Sequence, residues 1–427
     1  MAILKDINDA PKISNLAEEA LKYHSVYPAG KISTAITKPA NSQRDLSLAY
    51  SPGVAEPVRE IAKNPENIYK YTNKGNLVAV ISNGTAVLGL GNVGALAGKP
   101  VMEGKALLFK RFANVDGFDV SVDTTNSQDF IDTVSRIALN FGGINLEDIK
   151  APECFAIEEI LSDKLDIPVF HDDQHGTAIV VAAGLLNALE LQNKQMEQVK
   201  LVCLGAGAAG IATMKLLVDM GLNRDNITLV DTKGVVHTDR TDLNSFKQEF
   251  AITTNKRSLA DAMEGADVFI GVSGANLLTP EMLKTMANNP IVFAMANPDP
   301  EIHPDVAFAT RDDVIMATGR SDLPNQINNT LCFPYIFRAA LDVRASKINT
   351  EMKIATAHAL KDLAKQPVAQ EVLDAYKINK LEFGKDYLVP KPLDPRLLDV
   401  LPAAIAKVAI ETKVAKQGYP DHYPTSS

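Results

Sequence analysis

A chain of 427 residues with 46% hydrophobic content can bury a large core, and its length favours division into two domains. A formal charge of −9 without any basic tract argues against nucleic acid or an anionic membrane surface as a partner. Cys154, Cys203 and Cys332 lie far apart without metal-ligand spacing, and their odd count gives no disulfide framework, which fits a reducing cytoplasm.

The first residues, from Met1, carry no long apolar stretch or cleavage pattern of a signal peptide. Residues 12–24 read as a helix and 31–36 as a short strand. A polar loop over 38–45 leads into Leu48-Ala49-Tyr50-Ser51-Pro52-Gly53. Tyr50 stands between an apolar run and a Ser-Pro-Gly turn, which fixes it, though most tyrosines so placed are half-buried core residues. Asn76–Ser82 is a buried strand by its apolar run. Gly89, Gly91 and Gly94 have dinucleotide-fingerprint spacing, but Gly98, Pro100 and Gly104 interrupt the region where its helix should open. The stretch therefore reads as a glycine-rich shelf approaching a ligand, with a helix only from about Lys105. Residues 118–123 alternate as a strand, and 127–140 form an amphipathic helix.

Two short apolar runs then end in acids: Glu147 and Asp148 close the first, Asp172 and Asp173 the second. Neighbouring side chains diverge in regular structure, so two adjacent carboxylates share a ligand only where the chain turns. Lys150-Ala151-Pro152 and Gln174-His175-Gly176 supply such turns. Three or four oxygens gathered there suit a hard cation, Mg²⁺ or Mn²⁺. The same acids read equally well as loop residues, with Asp172 or Asp173 capping a helix that starts near Thr177. His171 and His175 have the spacing of a zinc-protease pair, but a strand precedes them, Gly176 follows, and Asp172 stands where that motif needs Glu. The most apolar run, 178–189, is too short to span a bilayer and reads as a buried helix.

Residues 198–204 form a strand that enters Gly205-Ala206-Gly207-Ala208-Ala209-Gly210, followed by an apolar helix over 211–220 and a second strand ending at Asp231. This strand–loop–helix–strand unit with a terminal acid is the context in which the glycine fingerprint is specific for a dinucleotide. The glycines let backbone and helix N-terminus meet a pyrophosphate. Asp231 can accept from a ribose hydroxyl and repel a 2′-phosphate, which favours NAD, while Lys233 nearby offsets part of that repulsion. Strands at 267–271, 291–295 and 314–318 alternate with helices at 258–264 and 279–288, giving a doubly wound parallel sheet. Ser273, Asn297 and Gly319-Arg320-Ser321-Asp322 follow the strand ends and are placed to line the cleft. Asn297 is equally readable as an Asx turn before Pro298. Residues 324–329 open a helix running through Phe337 and Leu341. From about 350 the chain is helical, with a proline-rich link at 389–395, a last helix near 403–415 and a lightly tethered or frayed tail from Gln417.

Taken together, Tyr50-Ser-Pro-Gly-Val54, Val87-Leu-Gly-Leu-Gly-Asn-Val-Gly94, Glu147-Asp148, Phe170-His-Asp-Asp-Gln-His-Gly-Thr177 and the Gly205 loop resemble the malic enzyme family in its short bacterial form. The resemblance covers roughly residues 14–400. It implies an α/β fold in which an N-terminal α/β malic domain (1–163) precedes a Rossmann-type, doubly wound parallel-sheet domain (164–390) and a C-terminal helix and tail (391–427). It also implies oxidative decarboxylation of (S)-malate to pyruvate and CO₂ with NAD⁺ or NADP⁺ and Mg²⁺ or Mn²⁺, in a cytoplasmic homodimer with no nucleic-acid or membrane partner. By motif, Tyr50 and Lys105 match the catalytic tyrosine and lysine, Asp172 the acid beside the lysine, and Glu147, Asp148 and Asp173 the metal ligands. Asn297 and Asn329 match the substrate-holding amides; Gly205 to Gly210, Asp231 and Ser273 fall to the cofactor. Where larger family members carry an arginine on the glycine shelf, this chain has Thr85-Ala86-Val87. A malolactic-type decarboxylase, another 2-hydroxy-acid dehydrogenase and a non-catalytic NAD-sensing protein are the competing readings on the same scaffold.

Overall fold

The computed structural model describes residues 13–424 apart from Leu88. Helices α1 (Ile13–Ser25), α2 (Gln43–Ala49), α3 (Ala55–Lys63) and α4 (Ile68–Tyr71) come first. None of residues 16–73 is buried, and Leu21, Val26, Tyr27 and Ile36 all stand exposed on this segment. The strand expected at 31–36 is absent. An extended run becomes a strand only where a neighbour pairs its N–H and C=O groups, and none runs beside it among the described residues.

A four-stranded sheet follows: β1 (Leu77–Ser82), β2 (Asp116–Ser121), β3 (Gly143–Leu146) and β4 (Val169–His171), all parallel in the order β2-β1-β3-β4. Its crossovers are α5 (Lys99–Ala113), α6 (Ser127–Ile137) and α7 (Glu153–Lys164). Helix α5 begins six residues before the position expected from Pro100 and Gly104. Pro100 sits in the first turn, where its missing N–H is no loss, so Lys105 is a mid-helix residue.

Helix α8 (Asp172–Leu191) leaves β4 directly, rather than starting near Thr177. Asp172 and Asp173 occupy its first turn, where negative charge meets the positive end of the helix dipole. Gly176 lies inside the helix; a side chain there would put its Cβ 1.9 Å from Asp172 Oδ1, so only hydrogen fits.

The second sheet holds β5 (Leu201–Leu204), β6 (Ile227–Asp231), β7 (Gly234–Val235), β8 (Val268–Gly271), β9 (Ile291–Ala294) and β10 (Ile315–Thr318). Its order is β10-β9-β8-β5-β6-β7, parallel except for the edge strand β7. Between the strands run α9 (Ala208–Asp219), α10 (Ser245–Gln248), α11 (Leu259–Met263), α12 (Pro280–Thr285) and α13 (Pro304–Thr310). The chain ends with α14 (Phe333–Asp342), α15 (Thr350–Lys365), α16 (Gln370–Ala375) and α17 (Arg396–Glu411), the last beginning seven residues earlier than expected and carrying Pro402 inside it.

Successive side chains of β5 face opposite ways, as strand pleating requires. Leu201 and Cys203 join a core continuous with the first sheet and with α8, α14, α15 and α17; Val202 and Leu204 join a smaller core beneath α11 and α12. Helix α8 packs along both α9 and α15 and so belongs to both halves. Residues 418–424 of the tail are anchored: Tyr423 is buried and its hydroxyl donates to Asp342 at 2.5 Å. No helix among the described residues is long and apolar enough to cross a membrane.

Candidate active site

The carboxyl ends of β3 and β4 lie side by side, because Leu146 and His171 are register partners. Whatever follows each strand therefore meets the other. After β3 come Glu147 and Asp148. Asp148 takes a left-handed backbone, with φ of 54°, which breaks the strand alternation and lets two consecutive carboxylates reach one place. After β4 comes the first turn of α8, whose Asp173 accepts from the Asp148 N–H at 2.7 Å. Oxygens of Glu147, Asp148 and Asp173 lie within 4.8 Å of one another. Asp172, one residue earlier on the helix, serves a different partner.

That partner is Lys105. Its buried Nζ lies 2.5 Å from Asp172 Oδ2 and 2.8 Å from Glu147 Oε1, over the Phe333 ring at 4.3 Å. Burial works against the Lys105 charge, but Asp172, Glu147 and Asp173 outweigh it and hold the ammonium above its ordinary range. The acids show the opposite imbalance. Burial, relieved only in part by Lys105, pushes Glu147 up to about 7 and Asp172 and Asp173 up to about 6. Four acids face one lysine, so the donor set is short of positive charge and consists of oxygen alone. A hard divalent cation fits both features.

A ring of further contacts orients these groups. Asn145 Nδ2 donates to Glu147 Oε2 at 2.8 Å, and Asn329 Nδ2 donates to Asp172 Oδ2 at 2.5 Å. The Asn329 amide thus touches the Lys105–Asp172 pair itself. Thr85, on the glycine shelf, accepts from Lys150 N–H at 3.0 Å, while Ala86 N–H donates to Asp148 O, so the shelf is stitched to the acidic bend. Behind α8, the Glu158 carboxylate on α7 accepts from His171 N–H and Gln174 Nε2, both at 3.0 Å, and lies 2.9 Å from His175 Nε2. Lys353 Nζ reaches His175 Nδ1 at 3.1 Å. The His175 ring therefore belongs to a buried polar network with Glu158 and Lys353, to which His171 adds only its backbone N–H. Sequence reading missed Glu158, since a mid-helix glutamate gives no signal of what lies opposite.

Tyr50 is 77% exposed and takes part in none of the contacts around Lys105. The structure brings together Lys105, Glu147, Asp148, Asp172, Asp173 and Asn329, but does not add Tyr50 to that buried group.

In the second sheet, the Gly205–Gly210 loop joins β5 to α9. A Cβ on Gly210 would come 1.8 Å from Gly205 O, the close approach the last glycine of a fingerprint provides. Gly207, Ala208 and Ala209 run into the first turn of α9, with Ala206 before them. Ser273 and Asn297 follow β8 and β9, and one residue couples their loops. The carboxylate of buried Glu301 accepts from Ser273 N–H at 2.9 Å and from Ala296 N–H at 3.1 Å. Glu301 also went unread in the sequence. Asn297 precedes a cis peptide to Pro298, and its carbonyl lies against the Gly89 shelf, 3.5 Å from where a Cβ would stand. The shelf of the first sheet thus meets the cleft of the second. Asp231, at the end of β6, is already engaged by Arg240 and Lys247.

Comparison with known proteins agrees with this architecture. The family described as malic enzyme, N-terminal domain, matches residues 29–129, and malic enzyme, NAD binding domain, matches 174–376. The chain is 62% identical over 407 residues to the NADP-dependent malic enzyme of Halomonas elongata, spanning 95% of this chain and 96% of that one. It is 50% identical over 407 residues to the bifunctional malic/malolactic enzyme of Bacillus subtilis, spanning 94% and 95%. Several other curated relatives are about twice as long, so that the chain spans 52–55% of their length, and the relatives include both NADP- and NAD-dependent malic enzymes. Among solved structures, the malic enzyme of Pyrococcus horikoshii superposes with a TM-score of 0.87 at 43% identity, covering 94% of this chain and 92% of that one. Fold, acid bend and cofactor loop converge: the chain belongs to the malic enzyme family.

Proposed function

We propose that the chain catalyses oxidative decarboxylation of (S)-malate to pyruvate and CO₂, coupled to reduction of NAD(P)⁺ and dependent on Mg²⁺ or Mn²⁺. The observation that carries this reading is the meeting of Glu147, Asp148 and Asp173 oxygens within 4.8 Å of one another, with Lys105 bonded to one of them. These three carboxylates would hold the cation. When bound, it supplies Lewis-acid polarisation of the substrate hydroxyl and carboxylate.

The chain's own groups account for the proton movements. Lys105 Nζ takes the C2 hydroxyl proton as hydride leaves C2 for the nicotinamide, and it must be neutral to do so. Because Glu147 is both a would-be cation ligand and a partner of Lys105 Nζ at 2.8 Å, sharing its charge with a cation would weaken its hold on the ammonium and favour the neutral amine. Asp172 and Asn329 keep Nζ in place. By its motif Tyr50 would be the acid that protonates C3 after CO₂ is lost, although within one chain it stands exposed and apart from the Lys105 group. Asn297 and Asn329 hold the substrate, the Gly205–Gly210 loop meets the pyrophosphate, and Ser273 lines the nicotinamide side.

The exposed apolar segment over 16–73, which includes Tyr50, is covered by a second copy of the chain, giving a homodimer working in the cytoplasm. Exposed large apolar side chains concentrated on one segment, as Leu21, Val26, Tyr27, Ile36 and Val58 are here, mark an interaction face.

The test is a spectrophotometric assay of malate with each nicotinamide, with and without Mn²⁺, alongside CO₂ release. Reduced cofactor and CO₂ in equal amounts, only with metal, is the expected result. Lactate and CO₂ without net cofactor reduction would instead identify a malolactic enzyme, a reading made specific by the bifunctional Bacillus subtilis relative.

A further inference from the structure

Helix α8 carries Asp172 and Asp173 in its first turn, yet it has no side-chain cap of its own: His171, at the N-cap position, makes no cap hydrogen bond. The cap comes from another helix. Glu158, midway along α7, accepts from the His171 N–H at 3.0 Å through Oε1, as a helix's own third-position acid does in a capping box. Its Oε2 accepts from Gln174 Nε2 at 3.0 Å and lies 2.9 Å from His175 Nε2. Residues 171, 174 and 175 bracket the two aspartates. Side chains one step apart on a helix diverge by about 100°, so a grip on these three leaves Asp172 and Asp173 on the opposite face. There they meet Lys105 Nζ and the Asp148 N–H.

Lys353, near the start of α15, reaches the other ring nitrogen of His175, with Nζ 3.1 Å from Nδ1. An ammonium can only donate and a carboxylate can only accept. Nδ1 must therefore accept from Lys353, and the one proton of the neutral imidazole sits on Nε2, donated to Glu158. The bonds run one way, from ammonium to imidazole to carboxylate, and end on the N–H that opens α8. The Glu158 and His175 side chains are only 12% and 19% exposed, so water competes little for these bonds, and charge strengthens both ends.

We propose that Lys353, His175 and Glu158 form a relay of hydrogen bonds that positions the acid-bearing turn of α8, so that α15, far along the chain, sets the geometry of the cation site. The inference rests on the reading of Glu147, Asp148 and Asp173 as cation ligands and deepens it. The three relay residues act through Asp172 and Asp173 and are positioning residues.

The test measures Mn²⁺ binding to the full-length protein without substrate, from the electron paramagnetic resonance signal of the free ion. Glu158→Gln should weaken Mn²⁺ at least about tenfold, the scale on which outer partners of metal ligands act, because the new amide N–H meets the N–H on Nε2. Lys353→Met should weaken it several-fold while leaving every donor to Glu158 in place, so it tests the relay even where loss of the carboxylate costs the fold. Joined in one chain, the two changes should restore Mn²⁺ affinity to within about threefold of the unaltered protein. Without Lys353 the imidazole is free to move its proton to Nδ1 and accept from the new amide. Two merely structural defects would instead add. NADPH binding should stay within about twofold in every variant, which shows that each is folded. Nitrogen-15 spectra of histidine-labelled protein should place the His175 proton on Nε2. Unchanged Mn²⁺ affinity in both single variants, additive loss in the double variant, or a proton on Nδ1 in the unaltered protein would each overturn the relay. Failure of the unaltered protein to bind Mn²⁺ sinks the carboxylate-site reading and the inference with it.

Discussion

Lys105 is held by Asp172 and Glu147 at hydrogen-bond distance, so its proton inventory depends on which of those acids is engaged elsewhere. Lys105→Ala should lower turnover with malate by about 10²–10⁴-fold, the usual contribution of a positioned general base, while NADPH binding persists. Near-normal turnover in that variant would remove Lys105 from the chemistry. Asp173→Ala should weaken the Mn²⁺ dependence of activity, and an unchanged Mn²⁺ titration would reject it as a ligand. A separate effect is expected from Asp231. Burial opposes its charge, but hydrogen bonds from Arg240 and Lys247 win and hold its carboxyl down to about 2, against an ordinary value of 3.8. A depressed carboxyl stabilises the fold fully above the unfolded value and loses that contribution as pH falls toward the folded one. Between pH 3.8 and about 2, the unaltered protein should therefore lose more urea resistance than Asp231→Asn does. The acidic ends of the two runs were visible in the sequence, but the same acids read equally well as loop residues and caps until the register of β3 and β4 set them side by side. Glu158, Glu301 and Arg240 were not, because each acts on a partner that only the folded chain supplies.

Helix α8 shows why local rules misplace element boundaries. Read alone, Gln174-His175-Gly176 looks like a turn. In the fold these residues continue a helix whose first turn is favoured by two acids and whose glycine lets Asp172 stand close. The same happens at α5, where a proline taken as an interruption lies in the first turn. Gly176→Ala tests the close approach. It should cost about 1–3 kcal/mol in urea unfolding, as overpacking does, and should also reduce turnover by displacing Asp172 from Lys105. An unchanged rate together with unchanged stability would show that Asp172 relaxes freely. Most strands of the two sheets, by contrast, were readable to within a few residues, because sheets covered on both faces impose continuous apolar runs that loops do not share, whereas the unpaired run at 31–36 and the short edge strand β7 were misread or missed.

At the level of the molecule, the parallel course of the second sheet, apart from its edge strand β7, follows from alternation of strand and helix, and sequence reading captured it, whereas the direction of the first sheet's strands went unread. It could not capture that α8, α14, α15 and α17 join the two sheets through one continuous core, since packing partners distant in the chain leave no periodic trace. Nor did it single out the segment over 16–73, none of whose residues is fully buried and whose Leu21, Val26, Tyr27 and Ile36 stand exposed. In sedimentation, the protein should behave as a dimer, and Leu21→Asp with Val58→Asp should release monomer. A monomer at micromolar concentration without those changes would contradict the homodimer.

The exposed segment has a kinetic consequence. Helices that bury no side chain fully on their own chain gain little by settling before a second molecule arrives, so acquisition of the final structure should include an encounter step. The late phase of refolding from urea should then quicken in proportion to protein concentration, whereas assembly of the two sheets should not. The chain has no tryptophan, and Tyr23, Tyr27, Tyr50 and Tyr71 all lie on the segment that must be captured. Tyrosine emission should therefore report that last collision.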